Sequence, residues 1–412
     1  MLKLNKIIFV LYALKNYIKK IVTKHSSKKS NGKNVLVIVD RTGVGDIVIL
    51  MDGLYNLSRY LNIENGYYMH LATDKSLVKF LAVCHSGFNF SMIDMVYTTP
   101  EKYEQANYKE SYEHISTKEW DLVISIDSLG TYTSLLLMGV QYKKIIMGEF
   151  LPYKSLCRRI IDKLFLNCEE IACYGTEKKL LHKAAISRIV VDEVLHRELK
   201  IKDRMIYKRY KISSTQKEPA ADIYCCISTG INSNGTTPYR VWDIHRYKEV
   251  LEYILLNTHM DVILVGSYGD KESNDKLFKM FQDNKRVRNM TCKTTFSEWM
   301  NLLSNAQFVL GNDSGYIHLS YLLGTQAFAV AGYWDYGRFL PYAKSDAKDN
   351  VPIDIRVSEP ACALCIYNNI GRTVECNAVV KSKRRYKCID DVSFDDAIAV
   401  IDAWLIKKGL KI

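Results

Sequence analysis

At 412 residues, 48% of them apolar, the chain is long enough to bury a large core and to divide into two domains or more. Its net charge of +12 is concentrated in residues 1–33, which hold nine lysines and no acid; the body is nearly neutral, which argues against a nucleic-acid partner. Eleven cysteines in a chain of this length do not make a small disulfide scaffold, and seven of them stand singly or in apolar surroundings, as in a cytoplasmic protein.

Within the basic segment, residues 1–32, Leu4, Ile7, Ile8, Leu11, Leu14, Ile18, Ile21 and Val22 recur at helical spacing, with Lys3, Lys6, Lys15, Lys19 and Lys20 among them. The longest apolar run, Ile7 to Leu14, is far short of the roughly 20 residues that span a bilayer. The pattern predicts a basic amphipathic helix on an anionic membrane surface; a helix docked on the protein itself is the alternative. Lysines follow the apolar run where a leader would carry small residues for cleavage.

Val35 to Val39 is a continuous apolar run, as in a strand buried on both faces of a parallel sheet. The turn from Asp40 to Asp46, with Gly43 and Gly45 inside it, leads into Ile47, Leu50, Met51, Leu54 and Leu57 at helical spacing. Asp46 therefore stands at the mouth of a helix, where it is either a functional carboxylate or an N-cap. Tyr68 to Ala72, Met92 to Tyr97, Leu122 to Ile126 and Lys144 to Met147 are further strand candidates between helical segments, which predicts βαβ units. Residues 151–200 turn helical and charged. A polar linker over 209–222 marks the domain boundary, giving domains of 33–215 and 216–412.

The pattern then restarts. Ile223 to Ile227 and Val262 to Val265 read as strands, the second ending near Asp270, which opens the next helix; Arg240-Val241-Trp242 opens a helix running to about Leu256. Phe296 to Leu303 reads as a short helix. Phe308 to Leu310 is a strand stopped by Gly311, Asn312, Asp313, Ser314 and Gly315, after which a helix runs to a stop at Gly324. In an open α/β sheet that turn lies at the carboxyl ends of the strands, where the N–H groups of Ser314, Gly315 and Tyr316 would face an anion. An ordinary strand-to-helix turn with an N-cap fits the same letters. Phe328 to Ala331 is the next strand. The fold class is α/β, with two Rossmann-like domains facing across a cleft.

With these residues placed, the chain resembles glycosyltransferase family nine, the ADP-heptose:lipopolysaccharide heptosyltransferases of GT-B architecture. The resemblance rests on residues 35–57, on Arg240-Val241-Trp242, and above all on residues 296–332. It implies an inverting, metal-independent transfer of heptose from ADP-heptose to a lipopolysaccharide or lipooligosaccharide core, in the cytoplasm at the inner face of the cytoplasmic membrane. The implied general base is Asp46, with Gly43 and Gly45 on the acceptor side. Donor binding falls to Arg240, where the family usually has lysine, and to Ser314, Gly315, Asp270 and His318; Asp313 would order the turn. His318 either reaches the diphosphate or packs. Another nucleotide sugar, or a non-catalytic sugar-nucleotide binding role, are the alternatives.

No Asp-x-Asp pair of the kind that holds a divalent ion in other sugar transferases stands at a strand end. Cys362, Cys365, Cys376 and Cys388 have the ligand number of a zinc site but looser spacing than a ribbon, so they are zinc ligands or free thiols. Phe394 to Leu405 reads as an amphipathic helix, which in GT-B folds crosses back to the first domain.

Overall fold

The computed structural model describes residues 2–22, 32–39, 43–73, 77–78, 80–81, 105–126, 129–149, 160–172, 182–198, 223–230, 240–333, 336–342, 350–357, 379–380 and 385–412. The chain divides into two units, Met1–Tyr210 and Lys211–Ile412. The expected strand Met92 to Tyr97, the turn residues Asp40 to Thr42, and Cys362, Cys365 and Cys376 lie outside the described residues.

In the first unit, Val35 to Val39 has no exposed surface because β1 (Lys33–Val39) lies inside the sheet and is covered on both faces. It pairs in parallel with β2 (Tyr67–Thr73) on one side and β3 (Leu122–Ser125) on the other, so Val37 lies opposite both Leu71 and Ile124. β4 (Ile145–Glu149) and β5 (Glu169–Ala172) complete the order β2-β1-β3-β4-β5. The strand order reverses between β1 and β3, which puts the end of β1 at a switch point.

The helices of this unit are α1 (Leu2–Val22), α2 (Val44–Tyr60), α3 (Gln105–Ile115), α4 (Thr131–Met138) and α5 (Lys183–Arg197). α1 packs on α4 with Ala13 fully buried. α2 packs on α5 so closely that a Cβ on Gly53 would stand 1.8 Å from Ser187 Oγ.

The larger sheet of the second unit has six described strands, all parallel, in the order β11-β10-β9-β6-β7-β8: β6 (Tyr224–Ser228), β7 (Asp261–Leu264), β8 (Val287–Asn289), β9 (Phe308–Asn312), β10 (Gln326–Val330) and β11 (Ile353–Ile355); a separate antiparallel pair joins Val379–Val380 to Arg385–Tyr386. The order reverses between β6 and β9, where Ser228 lies opposite Gly311. Helices α6 (Ile244–Asn257), α7 (Lys271–Lys279), α8 (Phe296–Asn305) and α9 (Gly315–Leu323) connect the strands. After them come the single turn α10 (Lys387–Asp390) and α11 (Phe394–Lys408). α11 begins with a Ser393/Asp396 capping box, ends at Gly409 in the left-handed region, and buries Ala397, Ile401 and Leu405. Its Trp404 ring meets Phe308 and Phe328 edge-on, at 5.5 and 5.9 Å, which ties the helix to β9 and β10 of its own unit.

Candidate functional site

The carboxyl ends of β6 and β9 carry a buried, closely hydrogen-bonded group of polar residues. Asn312, the last residue of β9, donates from Nδ2 to the Thr229 and Gly230 carbonyls (2.8 and 3.3 Å) and accepts the Trp242 backbone N–H at Oδ1 (2.8 Å). The Tyr316 hydroxyl bonds the Ser228 and Gly230 carbonyls and accepts the Asn312 N–H. Gly311 permits this, since a Cβ there would stand 2.5 Å from the Tyr316 ring and 2.6 Å from the Ser228 carbonyl. Asn274 does the same work one strand over, accepting from Thr229 N and Oγ1 and donating to Val265 O and Thr291 Oγ1. Sequence reading placed Asn312 only in the cluster that stops the strand and passed over Asn274, because a lone asparagine carries no spacing signal.

On this platform α9 starts at Gly315 with Ser314 as N-cap, whose side chain makes no capping bond. The Gly315 and Tyr316 N–H groups therefore end at the switch point with no intrahelical acceptor, while the Ile317 N–H donates to the Ser314 carbonyl at 3.1 Å; free first-turn N–H groups attract anions. Asp313 stands beside them, its Oδ1 3.2 Å from His318 Nε2, while His318 Nδ1 is 3.0 Å from the Tyr342 hydroxyl. His318 is buried with both ring nitrogens engaged, so it braces Asp313. Burial alone would push the Asp313 carboxyl up. The His318 bond and charge, then the charges of Arg240 and Arg356, outweigh that and hold it below its ordinary value. Arg356, which bonds Asp354 at 2.5 Å and the Leu340 carbonyl at 3.2 Å, is a cation the sequence reading missed. It follows a strand of only three residues that no apolar run announces.

Asp270 is buried rather than displayed at a strand end. Its Oδ2 accepts Ser267 N and Oγ at 2.7 and 3.0 Å, and burial raises its carboxyl against the lowering effect of those bonds. Gly230 and Gly266 leave room for it: a Cβ on either would stand 2.6 Å from Asp270.

In the first unit Asp46 is the third residue of α2, and Gly43, not Asp46, holds the N-cap position. A Cβ on Gly43 would crowd Asp46 Oδ2 at 3.1 Å, and Gly45 lies in the same helical turn. Asp46 Oδ1 pairs with Lys183 Nζ. Lys183 is 2% exposed, whereas Asp46 keeps 29% of its side chain in solvent. Lys183 opens α5, directly after His182, whose ring nitrogen caps that helix by accepting the Ala184 N–H. The sequence reading missed Lys183 because 137 residues separate it from its partner.

Among the described residues no cluster of three or more His, Cys, Asp or Glu is placed to hold a metal ion, and Cys388 is buried. Among the same residues no helix is long and apolar enough to cross a membrane.

Residues 193–352 match the family model of glycosyltransferase family 9, described as heptosyltransferase. No curated protein matches the chain in sequence. Among solved structures, E. coli ADP-heptose lps heptosyltransferase II aligns with a TM-score of 0.64 at 13% identity, over 91% of this chain and 99% of that one. The family 9 glycosyltransferase from Veillonella parvula DSM 2008 gives 0.63 at 14%, over 93% and 100%. E. coli heptosyltransferase WaaC with ADP gives 0.57 at 16%, over 78% and 92%. The two parallel α/β sheets thus match the GT-B heptosyltransferase fold. The family segment contains Arg240, Asp270, Asp313, Ser314, Gly315 and His318, and leaves Asp46 and Lys183 outside.

Proposed function

We propose, from the premise that this chain is a glycosyltransferase of family 9, that it transfers heptose from ADP-heptose to a lipopolysaccharide or lipooligosaccharide core at the inner face of the cytoplasmic membrane. The observation that carries the reading is the start of α9: uncapped N–H groups at the β6/β9 switch point, inside the matched segment, on a platform built by Asn312 and Tyr316. The donor diphosphate sits there, with Arg240 supplying positive charge and Asp313, braced by His318, ordering the turn. Asp270 supports the glycine-lined turn that receives the nucleoside.

The Asp46 carboxylate removes the proton of the acceptor hydroxyl. The freed oxygen attacks the sugar carbon, the bond to the diphosphate breaks, and ADP leaves with its charge held by Arg240 and the helix terminus, inverting the sugar carbon. On this reading the protein needs no metal, since those groups carry the charge.

The test is a thermal-shift screen of nucleotide sugars followed by analysis of the transfer product. ADP-heptose raises the melting temperature more than UDP- or GDP-sugars do, and the product has the inverted configuration. A chain stabilised only by another nucleotide sugar overturns the donor assignment.

A further inference from the structure

Among the described side chains of the helix Leu2–Val22, one face packs on the protein and another carries exposed apolar groups. Tyr12, Ala13, Asn16, Tyr17 and Lys20 form the docked face, an arc of roughly 140° at 100° per residue. Ala13 and Asn16 are buried, and the absence of a side chain at Gly139 lets Asn16 approach. Tyr17 meets Phe165 edge-on at 5.2 Å and Tyr12 meets Tyr112 at 6.4 Å. The Lys20 carbonyl accepts Gln141 Nε2, its ammonium lies 3.8 Å over the Tyr142 ring, and burial lowers its pKa to about 8.

Val10, Leu11, Ile18, Ile21 and Val22 fall on the other side, within an arc of roughly 120°; Leu14 lies in the same arc but is partly buried and packs against the core of the first unit. Leu11, Ile18, Ile21 and Val22 are 59%, 60%, 61% and 75% exposed, a line of large aliphatic side chains of the kind that marks an interaction surface. Lys15 and Lys19 are exposed along its border. The segment around it, with nine lysines and no acid in residues 1–33, complements anionic headgroups.

We infer that α1 is a two-faced adapter: it stays docked on α4 while its outer arc enters the headgroup boundary of an anionic bilayer. The first unit is then held at the membrane in one orientation. The inference rests on the reading that the chain works at an anionic membrane, and adds which residues make the contact and which do not. A helix whose only apolar face was spent on either partner could not join the two. Apart from Leu14, the docked and the exposed side chains lie on separate arcs, so membrane binding does not require α1 to leave the protein.

The experiment is co-sedimentation of the full chain with phosphatidylcholine vesicles, with and without phosphatidylglycerol. It compares wild type with the triple variant Leu11→Ser, Ile18→Ser, Val22→Ser, and adds amide hydrogen exchange over residues 131–138. Wild type is expected to bind the anionic vesicles, the triple variant to lose at least tenfold in partitioning with an unchanged melting curve, and exchange over α4 to stay protected in the bound state. A triple variant that binds like wild type overturns the assignment of the face while leaving the membrane reading intact, because the lysines alone then suffice. Loss of α4 protection on binding overturns the adapter geometry. A wild type that ignores both kinds of vesicle removes the membrane reading with the inference. Dimers of wild type that the triple variant cannot form, without vesicle binding, assign the face to a second copy instead.

Discussion

Lys183 changes what a substitution at Asp46 means. Its ammonium is out of solvent while its carboxylate partner is not, so removing the carboxylate leaves a buried cation without that counter-charge, whereas removing the lysine leaves a carboxylate that water still reaches. Asp46→Asn is therefore expected to cost up to about 3–5 kcal/mol, far more than loss of a cap, and Lys183→Met in the same chain to recover most of it. If Asp46 is the base, turnover falls roughly 10²–10⁴-fold in the single variant and stays low in the double variant. Denaturant unfolding beside steady-state kinetics separates the two effects; a double variant that regains both stability and turnover would end the base assignment. His70 offers a pH test at the same scale. Burial first, and the Lys118 charge second, lower its pKa from 6.5 to about 4; Lys118 Nζ lies 3.3 Å from Nε2. The folded state thus holds the neutral ring. The stability is fully present above pH 6.5 and is lost as pH falls toward about 4, by up to about 3 kcal/mol. His70→Gln should flatten denaturation midpoints between those limits; an unchanged slope would show that other groups carry it.

Among the strands of the two parallel sheets, those that sequence reading missed are β5, β8 and β11, and each lies at an edge of its sheet. An edge strand has a partner on one side only and keeps charged residues, as in Glu169-Glu170-Ile171-Ala172 and Val287-Arg288-Asn289, so no continuous apolar run betrays it. The interior strands β1, β6, β9 and β10 show such runs because helices cover both faces. The β9–α9 unit depends on close approach, which gives a prediction at this scale. Gly311→Ala places a methyl against the Tyr316 ring and the Ser228 carbonyl, costs about 1–3 kcal/mol by overpacking, and weakens ADP binding by displacing the start of α9. Gly324→Ala meets nothing within 4 Å, and its left-handed φ of 79° costs only about 1 kcal/mol with ADP affinity kept. Chemical denaturation and ADP titration of the pair test this, and equal ADP affinities would detach the platform from the site.

At the scale of the whole molecule the described residues include a core in each unit, one around Leu36, Ile38, Trp120 and Val123, the other around Ile227, Leu251, Phe308 and Phe328. Separate cores in separate units predict two calorimetric transitions, of which ADP raises only the one belonging to Lys211–Ile412. A single transition would show the units to be thermodynamically one, and a shift in the other transition would move the nucleotide site.

What the sequence determined by itself was local. The apolar runs of β1, β6, β7, β9 and β10, the glycine turns after them and the helical periodicity of α2, α9 and α11 were legible because burial on both faces, backbone freedom and a 3.6-residue repeat leave their marks within a dozen residues. From those marks came the α/β class, the positions of Asp313, Ser314 and Gly315 at a strand end, and those of Asp46 and Arg240 at helix openings. Only the tertiary structure decided what those residues touch. Lys183 reaches Asp46 because parallel strands set their following helices side by side, with N-termini at one edge of the sheet. Tyr342 holds His318 against Asp313, Asn312 joins β9 to Trp242, and Arg356 enters from just after an edge strand. Two faces of α1 could be listed from its letters, but which one the protein covers depends on Gly139 and Tyr142, residues more than a hundred positions away. Contacts between distant segments follow from how elements pack, and side-chain patterns within one segment carry no record of that.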